Sequence, residues 1–318
     1  MKKIPVFIAI GCIVAGLLAA AVGLMLVDFD FLKLSPLRYD TKTYPLEEPF
    51  HSIDILTAEH DIILLPTEGE CKLVCTESKQ IFHAVEVENG TLTVRRVDNS
   101  RWYEHFGLFW HEELSVTLYL PAGEYEALVL KSVSGDVEVP DQFIFADIDL
   151  SSTSGNLFLG SASKGSLKLT TVSGNIEGVN TVAATLSANS TSGCISLSSL
   201  TAETLDLHSV SGELRLSRLT AGSITAKTTS GDVFLRDLQA ESAAQLTTVS
   251  GNIQLEDADA GSFETKTISG DIEGSIRSPK NFITDTTSGD FHLPASDPAA
   301  GSFSIKTTSG DATITLHQ

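Results

Sequence analysis

Basic side chains are few. Lys and Arg number 21 against 41 Asp and Glu, a net charge of −20, and no cluster of basic residues occurs. Nucleic acid is gripped through grouped Lys and Arg on its phosphates, so no nucleic-acid partner is expected. The acidity serves solubility. Cysteine is rare too, with Cys12, Cys71, Cys75 and Cys194 making up the whole count of 4. Cys12 lies in an apolar leader. Cys71 and Cys75 fall in one strand-like run, which sets their α-carbons about 13 Å apart, beyond disulfide reach. No disulfide framework is expected, and each thiol reads as a small apolar filler. Catalytic signatures are missing as well. There is no Gly-x-Ser-x-Gly elbow, phosphate loop or His-Glu-x-x-His helix, and no pair of carboxylates suited to a cleft can be named. No enzyme, catalytic residue, cofactor or metal is expected. Charge of either sign is sparse at 19%, while Ser, Thr and Gly are plentiful. That composition suits a β-rich surface protein and not a disordered chain.

What the chain does have is a repeat. Gly135, Gly155, Gly174, Gly193, Gly212, Gly231, Gly251, Gly270, Gly289 and Gly310 each follow a serine, at spacings of 19 to 21 residues. A period near twenty is the signature of a solenoid. Three residues before each glycine stands Ser or Thr, as in Ser132, Ser209 and Thr228; seven before it the residue is apolar, as in Leu128, Leu205 and Ile224. Two after it the residue is apolar again, as in Val137, Leu214 and Val233, and one after it stands Asp or Asn except at Cys194 and Glu213. Positions minus seven, minus five and minus three share one parity and plus two and plus four the other, so the inward face changes register across Ser-Gly-Asp. That is a corner, and glycine tolerates the backbone angles a corner needs; the Asp or Asn beside it can close the turn on local backbone. One period cannot bury its apolar face alone, whereas stacked periods bury a continuous column. The expected fold is all-β: a parallel β-solenoid of about ten rungs over residues 122–318, right-handed by the chirality of parallel crossovers.

The chain opens on an unbroken apolar run from Ile4 to Val27, preceded by Lys2 and Lys3 and followed by Asp28 and Asp30. Such a helix spans roughly 36 Å, enough for a bilayer. Residues 1–27 therefore read as a transmembrane anchor, with the body outside the cytoplasm by the positive-inside rule. The rival is a signal peptide cut near Leu18-Ala19-Ala20-Ala21, which would leave the body secreted. Residues 28–49 form a linker. Residues 50–121, with strand-like alternation and an Asn89-Gly90 turn, form an N-terminal β cap that hides the first rung. Within the cap the loop holding Trp102, Tyr103, His105, Phe106, Phe109 and Trp110 carries both tryptophans of the chain. Such aromatics either plug the end of the apolar column or form an exposed patch for a glycan, a peptide or the membrane interface. At the far end no polar cap follows Leu316-His317-Gln318, so the C-terminal strand edge is a candidate for homo-oligomer pairing. Asp271, Asp290 and Asp311 would stack about 4.8 Å apart. Calcium wants six to eight oxygens, and one carboxylate per rung is a thin supply.

The recurring Thr-Thr-Ser-Gly-Asp and Thr-Val-Ser-Gly-Asn, with Glu88-Asn89-Gly90-Thr91-Leu92 and Leu120-Pro121 ahead of the first Ser134-Gly135-Asp136, resemble the bacterial putative-adhesin family, a β-strand-repeat domain of unknown function. The likeness runs over about Phe50 to Gln318. It implies a β-helical fold, a surface location and no enzyme. The expectation is a non-enzymatic, membrane-anchored adhesin or envelope-interaction module with a cell-wall, glycan or membrane-protein partner. A regulatory partner-binding role in an envelope stress circuit, or a calcium- or glycan-binding solenoid, are the alternatives.

Overall fold

In the computed structural model the described residues are 4–26, 39–101 and 114–317, with side chains inside the helix described at 11–19, 21–23 and 25. The helix is Ile4–Leu26. Among the described residues no helix is long and apolar enough to cross a membrane.

The body is a parallel β-solenoid. Before each corner, Leu205 pairs with Ile224, Ile224 with Ala244 and Ala244 with Phe263; after it, Leu214 pairs with Val233, Val233 with Ile253 and Ile253 with Ile272. These files of apolar side chains are buried and form one continuous core. A third file joins them. Leu200 and Ala202, Leu219 and Ala221, Leu238 and Ala240, and Ala258 and Ala260 are also buried. The rung therefore has three inward-facing runs, not the two strands that the periodicity around Ser-Gly-Asp suggests. The extra corner lies six residues after the glycine. There Asn180, Ser199, Arg218, Asp237 and Asp257 all adopt a left-handed φ of 53–55°, which reverses the inward parity without a glycine.

The Ser-Gly-Asp corner differs from expectation in its cause. Of its ten glycines only Gly289, at 154°, has a positive φ. The glycine is needed for close approach. A Cβ on Gly231 would lie 2.0 Å from the carbonyl oxygen of Gly212, one on Gly212 1.8 Å from that of Gly193, and one on Gly193 1.6 Å from that of Gly174. The residue three before it fixes that contact. Thr228 Oγ1 accepts the Gly231 N–H at 3.2 Å and donates to the Gly212 carbonyl at 3.1 Å, so a buried hydroxyl stitches each corner to the last. The Asp or Asn after the glycine also bonds between rungs, not within its own turn: Asp232 Oδ1 accepts the Asn252 N–H at 2.7 Å, and Asn252 Oδ1 that of Asp271 at 2.9 Å.

Both ends depart from simple succession. At the N-terminal end, Ser52–Leu56 and Asp61–Pro66 pair with Gly123–Lys131 and Val137–Val139. Thr57-Ala58-Glu59-His60-Asp61 is thus a corner without glycine. His60 takes the glycine's place, its carbonyl 1.9 Å from where a Gly135 Cβ would be, and Asp61 Oδ1 accepts the Asp136 N–H at 2.8 Å. The next rung outward is Thr91–Asp98 with Ser115–Leu120. Antiparallel strands then close the end: Lys72–Glu77 on Ser115–Leu120, Asp40–Pro45 on Lys72–Glu77, and Ile81–Glu88 on Thr91–Asp98. Residues read as linker thus supply one strand of this closure.

At the C-terminal end the order of rungs is inverted. Phe263 pairs with Phe303 and Ile272 with Ala312, while Asn281–Asp285 and Phe291–His292 pair with the far side of Ser302–Lys306 and Ala312–Leu316. The Gly310 rung is inserted between those of Gly270 and Gly289. The C-terminal strand Ala312–Leu316 pairs along one side with Ile272–Ile276 and on the other, over Ala312 and Thr313, with Phe291–His292. The terminal rung is that of Gly289, and the Asp column runs Asp271, Asp311, Asp290. The hydroxyl ladder stops here, since Thr286 and Thr307 Oγ1 have no partner.

Candidate functional site

Two features stand out from the uniform rod. The first is the outer edge of the Ser-Gly-Asp corner. Side chains two before the glycine are β-branched in every copy and point outward. Val133 is 52% exposed, Val172 44%, Val210 48%, Val249 37% and Ile268 42%; Thr153, Thr191, Thr229, Thr308 and Thr287 are exposed between and beyond them. The backbone fixes their spacing. The amide of each following serine donates to the carbonyl of the β-branched residue one rung back, as in Ser154 to Val133 at 2.8 Å, Ser230 to Val210 at 2.9 Å and Ser288 to Thr308 at 2.9 Å. The result is an aligned, half-apolar ridge with a repeat of about 4.8 Å. A file of exposed serines, Ser134 to Ser309, and the Asp/Asn file flank it. A ridge of this kind offers methyl contacts and polar groups at one fixed interval to an extended, repetitive partner. On one side of the rod lies an open groove lined by Phe234, Arg236, Glu256, Glu273, Thr313 and Thr315.

The second feature is a buried polar cluster in the N-terminal cap. Lys72–Glu77 is an alternating strand whose inward positions are Leu73, Cys75 and Glu77. The last faces the end of the corner column, where His60 replaces glycine. The Glu77 carboxylate accepts Tyr44 Oη–H at 2.9 and 3.0 Å and the His83 N–H at 2.7 Å, and meets His83 Nδ1 at 3.0 Å. His60 Nε2 donates to the Thr76 carbonyl at 2.9 Å, and the His60 and His83 rings meet edge to face with centroids 4.8 Å apart. His60 Nδ1, His83 Nε2 and Arg96 Nε are buried without partners. Burial sets the protonation states. Desolvation pulls His60 down to about 4, against the Thr76 carbonyl, and pulls His83 down against Glu77. Both imidazoles are thus neutral at pH 7. Burial, with Glu77 beside it, pushes the Cys75 thiol up to about 12. Burial and Glu77 also raise the Tyr44 phenol.

The aromatic loop Trp102, Tyr103, His105, Phe106, Phe109 and Trp110 lies outside the described residues. In the chain it falls between the strands Thr91–Asp98 and Ser115–Leu120 of the outermost rung. The cap cluster escapes a sequence reading because Tyr44, His60, Cys75, Glu77 and His83 match no ligand or catalytic spacing. Antiparallel closure of the end is what collects them. The Thr57-to-Asp61 segment held the available signal, a corner with His in place of Gly.

Comparison with known proteins gives a family and a fold. The family model described as Toastrack DUF4097 matches residues 50–236 and again 180–318. No curated protein matches. A putative adhesin from Parabacteroides distasonis has a similar structure, with TM-score 0.54 and 15% identity over 76% of this chain and 98% of that one. A putative adhesin from Parabacteroides merdae aligns at TM-score 0.54 and 17% identity, over 74% and 96% of the two chains. A putative lipid binding protein from Parabacteroides distasonis aligns at TM-score 0.50 and 18% identity, over 73% and 94%.

Proposed function

Given that the chain belongs to the Toastrack DUF4097 family, we propose that it is a non-enzymatic envelope protein that acts by binding, with the β-branched ridge as its contact surface. The observation that carries this reading is the exposure of Val133, Val172, Val210, Val249 and Ile268 in one file. Solvent-facing corner positions do not need apolar side chains for folding, and an aligned file of them is a place for contact. Regular spacing suits a polymer with its own repeat, which is why a cell-wall glycan is the partner class proposed. The adhesin names borne by two similar structures agree with a binding role. In this reading, which rests on the apolar run Ile4 to Val27 and the charges that flank it and not on the described helix, the leader anchors the chain with its N-terminus in the cytoplasm and the solenoid outside.

The test is retention of the full chain on purified cell-wall glycan. A variant carrying Val210→Asp and Val249→Asp should lose retention while keeping its melting temperature, because both side chains are at the surface. Equal retention would remove the ridge from the account. Capture of a membrane signalling protein from intact envelopes, with no glycan retention, would favour the regulatory role instead.

A further inference from the structure

We propose that the N-terminal cap binds one divalent transition-metal cation of the zinc class through Cys75 Sγ, the Glu77 carboxylate and a ring nitrogen of His83. These three ligand atoms lie within 4.8 Å of one another and all three residues are buried. Thiolate, carboxylate and imidazole together are a borderline-soft set that suits zinc and disfavours calcium or magnesium. The strand places two of them without strain, since Cys75 and Glu77 are alternate residues on the inward face of Lys72–Glu77.

An independent observation points the same way. Among the described residues, His60 Nδ1 and His83 Nε2 are two buried ring nitrogens with no partner, and a buried polar group left alone is costly. With metal on His83 Nδ1, the proton of that nitrogen moves to Nε2. Nε2 then becomes a donor beside the His60 ring, whose Nδ1 is an acceptor because its Nε2 donates to the Thr76 carbonyl at 2.9 Å. The two rings meet edge to face with centroids 4.8 Å apart, so a small ring shift on metal binding would close the His83–His60 link and give the outer support that metal-ligating histidines ordinarily have. Charge balances as well. Without metal, the Glu77 carboxylate is 5% exposed and its nearest cation is Lys42 at 3.8 Å, itself 57% exposed. The cation enters as the Cys75 thiol gives up its proton to solvent. One carboxylate and one thiolate then neutralise a double positive charge. Three protein ligands leave the fourth tetrahedral position to water.

Cobalt titration of the full chain tests this with a readout tied to sulfur. The expected result is a thiolate-to-cobalt charge-transfer absorption that saturates at one equivalent and is displaced by zinc. Cys75→Ser should abolish it, and Cys194→Ser, in the solenoid, should leave it intact. His60→Phe should weaken affinity roughly 10–100-fold without abolishing the absorption. Folded full chain that gives no such absorption would overturn the proposal, since that result needs no variant to fold. So would a Cys75→Ser chain that binds as tightly as the parent.

Discussion

Gly231→Ala separates two reasons for a corner glycine that predict opposite signs. If the residue served only a backbone conformation, its ordinary φ would let alanine fit, and the change would stabilise by about 0.4–1 kcal/mol through the unfolded chain. The stacked rungs predict a loss. The new Cβ would lie 2.0 Å from the Gly212 carbonyl oxygen and 2.6 Å from its carbon. Both are backbone atoms of the preceding rung and cannot swing aside. Relief requires the two corners to part, and three hydrogen bonds cross that gap: Ser230 N–H to Val210 O at 2.9 Å, Thr229 N–H to Val210 O at 3.2 Å, and Thr228 Oγ1 to Gly212 O at 3.1 Å. At about 1 kcal/mol each the cost is about 3 kcal/mol. A rod of near-identical rungs can open locally, so hydrogen exchange is the assay of choice. Protection of the Ser230 amide should fall roughly a hundredfold. Gly69→Ala is the control, its nearest contact being Thr67 Oγ1 at 3.5 Å. Unchanged or greater protection in Gly231→Ala would refute the close-approach explanation.

Leu214→Asp places a carboxylate in a fully buried file between Ile195 and Val233. It should cost roughly 4 kcal/mol or more, seen as loss of the cooperative melt. Arg218→Gly relieves a bulky residue held at φ 54° and should raise stability by up to about 1 kcal/mol in urea denaturation; destabilisation would mean the Arg218 Nε–Ser199 Oγ bond of 3.0 Å matters more. Burial alone would raise the Asp259 carboxyl, but hydrogen bonds from Ser278 and Lys280 outweigh it and hold it below its ordinary value. A carboxyl depressed in the folded state contributes stability that is present above its unfolded pKa and is lost as pH falls through the folded one. Asp259→Asn should therefore be less stable than the parent at neutral pH, and in thermal melts the gap should begin to close near pH 3.8 and vanish only as pH falls through the lower folded value.

The repeat, the two apolar files beside Ser-Gly-Asp and the inward hydroxyl were legible because each is a strict column in the sequence. The third file was written there too, at Leu200, Leu219 and Leu238. Its corner carries Ser199, Arg218 and Asp237, with neither glycine nor proline to mark it. Both reasons for a corner glycine select the same residue, so sequence could not tell torsion from close approach. The inverted C-terminal order leaves only one trace, the long Pro294-to-Pro298 connection that lets the chain return inside its own last rung. The cap cluster left only the Thr57-to-Asp61 corner, with His60 where other corners carry glycine. Strand pairing between Asp40–Pro45 and Lys72–Glu77 brings Tyr44 to Glu77 across 33 residues, and no local pattern encodes such a meeting.

Order along the rod is read most directly by disulfide cross-linking on the exposed ridge, with Cys12 and Cys194 replaced and products mapped by mass spectrometry. Ile268→Cys paired with Thr308→Cys should cross-link, because directly stacked rungs bring the two α-carbons to about 4.8 Å. Ile268→Cys paired with Thr287→Cys should not, being two steps apart at roughly 9.6 Å. A bond in the second pair and none in the first would mean that the rungs follow the order of the chain, contradicting the inserted Gly310 rung.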